Sequence, residues 1–243
     1  MAMAETLAAL LLAHVLADFL FQNAWMVRNK HRPIALAAHG GVVLATAVAA
    51  TGSVALPLFW LTALHVAVDA GKARLAPGLG AFLGDQALHL AAIAALALWQ
   101  PGIWAGGLWS HAPALPGLMA VAAGAILATR AGSFAVGFLM APFARRLPED
   151  ITAESLPGAG RMIGLMERGL IFAFLMIGQP EGVGLLIAAK SILRFGAVRD
   201  DRALSEYVII GTLASVGWAL AAGYGTLALL PHLPPIGFSA VLP

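Results

Sequence analysis

Residues 4–26 read AETLAALLLAHVLADFLFQNAWM, a mostly apolar run with the ionisable His14 and Asp18 well inside it. A transmembrane helix needs about 20 predominantly apolar residues, so this stretch predicts a helix that crosses a lipid bilayer. Seven more apolar stretches follow, separated by Pro, Gly or basic residues: 34–52, 55–76, 81–99, 115–146, 160–178, 182–199 and 203–230. The sequence therefore predicts an all-α, polytopic transmembrane helical bundle of about eight spans.

The composition of the whole chain agrees with a membrane protein. Of its 243 residues, 60% are hydrophobic and 11% charged, whereas soluble domains carry about 25% charged residues. These proportions exclude a soluble enzyme, a disordered tail and a protein that holds nucleic acid on a basic surface. The chain contains no cysteine, which excludes disulfides, thiolate metal sites and cysteine nucleophiles.

Eight spans with short loops use nearly all of the chain, which predicts a single integral membrane domain over residues 1–243. Its first half, 1–100, carries His and Asp in the spans, and its second half, 114–232, carries a cluster of Arg, Lys and Glu. We expect membrane lipids as partners and leave open a homo-oligomer.

Lys and Arg mark the cytoplasmic side of a membrane protein. If 115–146 is one span, rather than two short segments that meet in the bilayer, the basic clusters at residues 28–32, 72–74, 145–168 and 194–202 all fall on one face. We therefore expect one span there, kinked near Gly132 and Ser133, with both termini outside the cytoplasm. In a bacterium this describes a multi-pass protein of the inner membrane.

Three pairs of ionisable residues share one spacing inside the predicted spans: His14 and Asp18, His65 and Asp69, and Asp85 and His89. Residues four apart share one face of a helix, and the alternating direction of the spans places these pairs and His39 at one depth, in the cytoplasmic half of the bilayer. Intramembrane ionisable groups are candidates for function because each is costly unless paired, ligated or hydrated. We interpret all seven as ligands of one or two divalent metal ions, with Zn, Mn and Fe all compatible and copper(I) disfavoured by the lack of sulfur.

Other roles for the same residues stay open. Each pair can form a buried His–Asp hydrogen bond that ties helices together, and the group can relay protons. The four histidines can also ligate haem, although haem leaves the Asp partners unexplained. His31, His111 and His232 fall in predicted loops or tails, where we expect them to be solvated.

The second half has a basic set in Arg161, Lys190 and Arg194. We interpret these residues as the binding site for a phosphate or carboxylate, because guanidinium groups suit oxyanions. The alternative is a set of interhelical salt bridges, such as Glu167 with Lys190 or Glu206 with Arg194, and long side chains that reach the interface.

Several motifs resemble an uncharacterised family of bacterial polytopic membrane proteins, known as a domain of unknown function. They include His14-Val-Leu-Ala-Asp18, His65-Val-Ala-Val-Asp69, Asp85-Gln86-Ala-Leu-His89 and Gly160-Arg-Met-Ile-Gly-Leu-Met-Glu-Arg168. The resemblance implies a membrane protein and brings no activity with it. A looser likeness, in the His- and Asp-rich helices, is to membrane-bound metal-dependent hydrolases.

The first hypothesis for function is a metal-dependent hydrolase or transferase that acts on a phosphorylated or anionic lipid at the cytoplasmic leaflet. In it, Asp18, Asp69 and Asp85 ligate the metal, bridge two ions or act as general base. The second hypothesis is a transporter of divalent cations or protons that uses the same site. The third is a membrane accessory protein in which the polar pairs only fix the packing of helices.

Overall fold

The computed structural model describes residues 1–145, 156, 158–194 and 202–236, and in this part of the chain every regular element is helical. Helix α1 covers Ala2–Leu16 and continues as a π-helical turn at Ala17–Phe21. The other helices are α2 (Ala24–Arg28), α3 (Pro33–Thr51), α4 (Leu56–Lys72), α5 (Leu79–Trp99), α6 (Leu115–Ile126), α7 (Gly132–Ala144), α8 (Ala159–Met176), α9 (Glu181–Arg194) and α10 (Arg202–Leu229), with a π turn at Leu127–Ala131 and a 3-10 turn at Leu230–His232. The predicted all-α class is confirmed.

Among the described residues, five helical segments are long and apolar enough to cross a membrane: Ala2–Phe21, Pro33–Thr51, Leu79–Trp99, Leu115–Ala144 and Arg202–His232. These segments indicate that the chain is a membrane protein. Helices α4 and α9, with 17 and 14 residues, are shorter than these segments. Helix α8 has 18 residues and carries Arg161, Glu167 and Arg168. The count of eight spans and the location of the termini thus remain proposals.

The stretch 115–146, expected to be one span, is helical from Leu115 to Ala144. Its irregularity is the π turn at Leu127–Ala131, which ends directly before the kink expected at Gly132 and Ser133. A π turn inserts one extra residue into a helical turn and often marks a functional region. The described part of the chain has two such turns, and each adjoins a group of polar side chains.

The chain divides into two compact units. The first contains residues 1–126 and 228–236, and the second contains residues 127–227, as far as these ranges are described. The prediction of a single membrane domain stays a prediction.

Within the first unit, α1, α3, α4 and α5 form a closed ring of four helices. Helix α1 packs on α3, α3 on α4, α4 on α5, and α5 on α1. One end of this bundle is an apolar core that includes Leu10, Leu58, Ile93 and Trp104. The hydroxyl of Thr6 closes that end, since it donates to the carbonyl of Pro101 (2.8 Å) and accepts from the backbone N–H of Trp104 (3.1 Å).

Local sequence signals set the helix boundaries near the other end. The Asn23 side chain caps α2 by accepting from the N–H of Met26 at 2.9 Å. Pro33 occupies the first turn of α3, where its missing N–H costs nothing. The short α2 connection turns the chain back, so that α3 packs against the π turn that carries Asp18.

Candidate metal centre

All seven predicted ligand residues meet at one end of the four-helix ring. Helices α3 and α4 bring His39, His65 and Asp69, α5 brings Asp85 and His89, and α1 with its π turn brings His14 and Asp18. Each side chain is at most 7% exposed. The recurring i, i+4 spacing places each His–Asp pair on the inner face of its helix, and the ring brings these faces together.

Four atoms form the centre of this group: His39 Nε2, His65 Nε2, Asp18 Oδ1 and Asp69 Oδ2. The two imidazole nitrogens lie 3.2 Å apart. His39 Nε2 lies 3.3 Å from each carboxylate oxygen, and His65 Nε2 lies 3.2 Å from Asp18 Oδ1 and 3.9 Å from Asp69 Oδ2. The ligand atoms of His39, His65 and Asp69 all lie within 4.8 Å of one another, and Asp18 Oδ1 adjoins both imidazole nitrogens.

Four of these distances, at 3.2–3.3 Å, are close to the spacing of ligands around a tetrahedral ion, whereas the 3.9 Å between His65 Nε2 and Asp69 Oδ2 is longer. Zinc binds nitrogen and oxygen at about 2.0–2.2 Å, which puts neighbouring tetrahedral ligands about 3.3–3.5 Å apart. Two of the central atoms, Asp18 Oδ1 and Asp69 Oδ2, are buried and lack a hydrogen-bond partner of good geometry. Buried polar atoms are nearly always satisfied, and a cation bound between these atoms would satisfy both.

Asp85, His89 and His14 extend the centre towards α5 and the last turn of its neighbour α1. His89 Nε2 lies 3.3 Å from Asp85 Oδ1 and 4.0 Å from Asp69 Oδ1. The rings of His65 and His89 stack with their centroids 3.9 Å apart. Ligand atoms of Asp18, Asp85 and His89 also lie close enough to hold an ion, so Asp18 belongs to two candidate ligand sets.

Gln86 is a site residue that the sequence reasoning missed. Its Oε1 lies 3.1 Å from His14 Nε2, and its Nε2 donates to Asp18 Oδ2 (3.3 Å) and Asp85 Oδ2 (3.1 Å). The amide therefore holds the outer oxygens of two carboxylates and fixes an imidazole. Its position next to Asp85 was the available signal, because an amide that follows a buried carboxylate often orients it.

Two lysines, also missed as site residues, pair with the centre. Lys30 Nζ donates to Asp69 Oδ1 at 3.0 Å, and Lys72 Nζ forms an ion pair with Asp85 Oδ2. Both lysine side chains are partly exposed, at 18% and 27%, whereas the carboxylates that they bind are buried. Lys72 follows Asp69 by three residues on α4, and this helical spacing could have predicted that it lies near the site. Lys30 lies in a turn, where no helical spacing relates it to the other residues.

A cavity of about 20 Å³ adjoins the histidines on the side of the apolar core. His14, His65 and His89 line it together with apolar residues such as Leu10 and Ile93. A cavity needs about 10–15 Å³ to hold one water molecule, together with polar partners. This cavity meets both conditions next to the candidate metal centre.

The predicted anion-binding residues lie in the second unit. Lys190 donates to both carboxylate oxygens of Glu167 at 2.7 Å, so the salt bridge expected as the alternative is present. Arg161 lies exposed in the first turn of α8. Arg194 ends α9, and its side chain lies outside the described part of the chain, while Glu206 pairs with Arg202 at 2.9 Å.

Arg168, which the sequence analysis did not select as a site residue, is the most buried cation of the second unit among the described residues, at 3% exposure. The three remaining histidines, His31, His111 and His232, are exposed as expected.

Comparisons with known proteins bear on the first unit. Neither the curated proteins nor the solved structures contain a match to the chain. Residues 6–106, which include every residue of the candidate metal centre, match the model of a family described as a protein of unknown function, DUF3307, and this confirms the resemblance to an uncharacterised family.

Proposed function

We propose that the chain is an inner-membrane metalloprotein of eight spans, with both termini outside the cytoplasm. The segregation of Lys and Arg onto one face supports this topology. Helices α4 and α9 would span as shorter members of the bundle, which is tolerated where neighbouring helices bury them. In this topology the metal centre lies in the cytoplasmic half of the bilayer, and Lys30 and Lys72 lie between it and the cytoplasm.

The observation that supports the proposal is the close approach of His39, His65, Asp18 and Asp69, whose imidazole nitrogens lie 3.2 Å from each other and 3.2–3.9 Å from the carboxylate oxygens. We propose zinc as the ion, because imidazole and carboxylate suit it, whereas Mn favours six oxygen ligands. A second ion beside Asp85, His89 and Asp18 is compatible with the same residues. Asp18 would then bridge the two ions.

Charge supports an anionic substrate. With neutral imidazoles, the three aspartates and the two lysines leave the centre with one negative charge. A divalent ion would change this to one positive charge, which attracts an anionic group. In the proposed function that group is the phosphate or ester of a lipid in the cytoplasmic leaflet, reached past the partly exposed Lys30 and Lys72.

The chemistry is hydrolysis or group transfer assisted by metal. A metal ion lowers the pKa of a bound water molecule and polarises the bond to be broken. Asp85, hydrogen-bonded by Gln86 and paired with Lys72, is placed to act as general base, while Asp18 and Asp69 hold the ion.

The proposal keeps Arg161, Lys190 and Arg194 as binding residues for the anionic group. Lys190 is the best placed of the three, although its ion pair with Glu167 must loosen before it can bind a second anion. We expect Lys190→Ala to leave metal content unchanged and to lower turnover. If Lys190→Ala and Arg161→Ala both remain fully active, these residues do not bind the substrate.

The experiment that tests the function joins metal content to activity. The full chain is purified in detergent, its metals are measured by elemental analysis, and it is assayed in nanodiscs that contain phosphatidic acid as a phosphorylated lipid. We expect one or two equivalents of zinc, release of phosphate from the lipid, and loss of activity with a chelator that added zinc restores.

Other outcomes separate the rival hypotheses. Metal flux into sealed vesicles without lipid turnover would favour the transporter. If the chain binds no metal, even when metal is added, the remaining hypothesis is the membrane accessory protein.

A further inference from the structure

The second unit contains a cavity of about 190 Å³, roughly six times the volume of a water molecule in the liquid. Helices α7, α8, α9 and α10 all contribute to its wall. Its polar lining consists of Glu167, Arg168, Lys190, Tyr207, Thr212 and Ser215. The cavity thus brings one acidic, two basic and three hydroxyl side chains to one place.

Arg168 is held firmly in the wall of this cavity. One terminal nitrogen, Nη1, donates to Ser215 Oγ at 3.1 Å, and the other, Nη2, donates to Ser133 Oγ at 2.6 Å and to the carbonyl of Thr129 at 3.2 Å. Thr129 belongs to the π turn before α7, which directs this carbonyl towards the guanidinium. Arg168 Nε is buried without a hydrogen-bond partner.

Arg168 forms no salt bridge among the described residues, and the carboxylate that favours its charge electrostatically is that of the neighbouring Glu167. All of its hydrogen-bond acceptors are neutral, and the neighbouring Glu167 gives both carboxylate oxygens to Lys190. A buried cation without a partner is costly, and more so at membrane depth. An anion in the cavity would neutralise the group, since Glu167 and Lys190 together contribute no net charge.

Glycine makes room for the guanidinium group of Arg168. A Cβ at Gly164 would lie 3.0 Å from Arg168 Nη1, and a Cβ at Gly132 would lie 2.8 Å from Arg168 Nε. Gly164 and Gly160 line the cavity one and two turns before Arg168 on α8. The absence of side chains at Gly132 and Gly164 thus allows Arg168 to take its place in the cavity wall.

We propose that this cavity binds the oxyanion of a phosphate or carboxylate group, with Arg168 as its charged donor and Lys190 at the rim. The hydroxyl groups of Ser215, Thr212 and Tyr207 supply further donors. A soluble anion and the headgroup of an anionic lipid share this chemistry. The inference adds Arg168 to the anion-binding residues, and it does not rest on the metal centre.

The test uses the full chain and two probes. Binding of inorganic phosphate is measured by calorimetry in detergent, and protection against thermal unfolding is measured in nanodiscs of phosphatidylcholine with or without phosphatidic acid. Wild type should respond to at least one probe. Phosphate binding identifies a soluble anion, whereas a response to phosphatidic acid alone identifies a lipid headgroup.

The variant Arg168→Gln should weaken the response on the order of 10- to 100-fold, which corresponds to the loss of one hydrogen bond to a charged group. Arg202→Gln is the matched control, because it also removes one positive charge from the unit but lies 93% exposed in a pair with Glu206. The control should respond as wild type does. An equal loss in both variants would show that only total charge matters and would overturn the proposal.

Removing Arg168 also removes its bonds to Ser133 and Ser215, so this variant can fail to fold. In that case Thr212→Phe tests whether the cavity binds the anion, because the larger side chain fills part of the cavity without a change in charge. Leu213→Phe adds the same ring at the next position, which is 68% exposed. Loss of binding in Thr212→Phe alone supports the cavity, whereas equal binding in both variants refutes it.

Metal content separates this inference from the proposed function. If the wild-type chain carries zinc but binds neither probe, the proposed anion site is overturned and the proposed metal centre is not. Arg168 would then serve only to hold α8 against α7 and α10. Variants of Arg168 and Thr212 should keep the zinc content of wild type.

Discussion

Replacing His39 tests the metal centre most sharply. Sequence reasoning gave this residue no Asp partner on its own helix, yet its Nε2 lies within 3.3 Å of three other candidate ligand atoms. The side chain is 1% exposed, so no solvent contact explains its position. If one ion is shared by the four central residues, His39→Ala removes a quarter of its ligands.

The expected magnitude follows from the binding free energy of structural zinc. Four-ligand sites bind zinc with about 10–16 kcal/mol, or about 2.5–4 kcal/mol for each ligand. The loss of His39 should then weaken binding on the order of 10²- to 10³-fold. The variant His39→Gln, which fills most of the space of the imidazole, separates this loss from the effect of an empty cavity.

Stability in detergent provides the assay. Zinc at 1,000 times its dissociation constant should stabilise the wild-type chain by about 4.1 kcal/mol. At about 2–4 °C for each kcal/mol, this raises Tm by about 8–16 °C. At the same zinc concentration the weakened site of His39→Ala should gain only about 1–6 °C. His31→Ala and His111→Ala, which alter exposed histidines, are the controls and should keep the full shift.

Two results would refute this reasoning. The first is a full zinc-dependent shift in His39→Ala and His39→Gln, since a central ligand cannot be lost without effect. The second is a wild-type Tm that responds neither to added zinc nor to a chelator. The first result would mean that zinc binds without His39, and the second would mean that the histidines and aspartates meet only to pack the four helices.

Three further predictions concern other parts of the chain. Lys30→Gln should keep the metal content and lower turnover on phosphatidic acid on the order of 10- to 100-fold, and unchanged turnover would remove this lysine from the path of the substrate. Single cysteines at the exposed positions of Arg74 and Ser110 should react with an impermeant reagent from the cytoplasm and from outside respectively, and the reverse result would invert the topology. Gly132→Ala should lower the free energy of unfolding by about 1–3 kcal/mol, because the new Cβ would lie 2.8 Å from the buried Arg168. The control Gly137→Ala, on the same helix, places its Cβ where nothing lies within 4 Å and should be neutral or stabilising. Equal effects of the two variants in a denaturant titration would contradict the crowding at Gly132.

The sequence by itself determined the membrane character and the candidate ligands. The apolar stretches and the low charge give the helices, because burial in lipid needs no partner from elsewhere in the chain. The i, i+4 spacing within His14–Asp18, His65–Asp69 and Asp85–His89 likewise depends only on the geometry of one helix. These local rules selected six of the seven residues that meet at the end of the four-helix ring, and His39 was added because it lies at the same depth in its span.

Only the tertiary structure decided which atoms face one another. The central position of His39, and the contacts of Lys30 and Gln86, depend on how each helix is rotated against its neighbours, which no local period encodes. The same holds in the second unit, where Glu167 binds Lys190 and thereby leaves Arg168 without a salt bridge among the described residues. The sequence shows that a charged residue lies in an apolar stretch and must therefore be paired. Which neighbour pairs with it depends on the packing between helices that are distant in the chain.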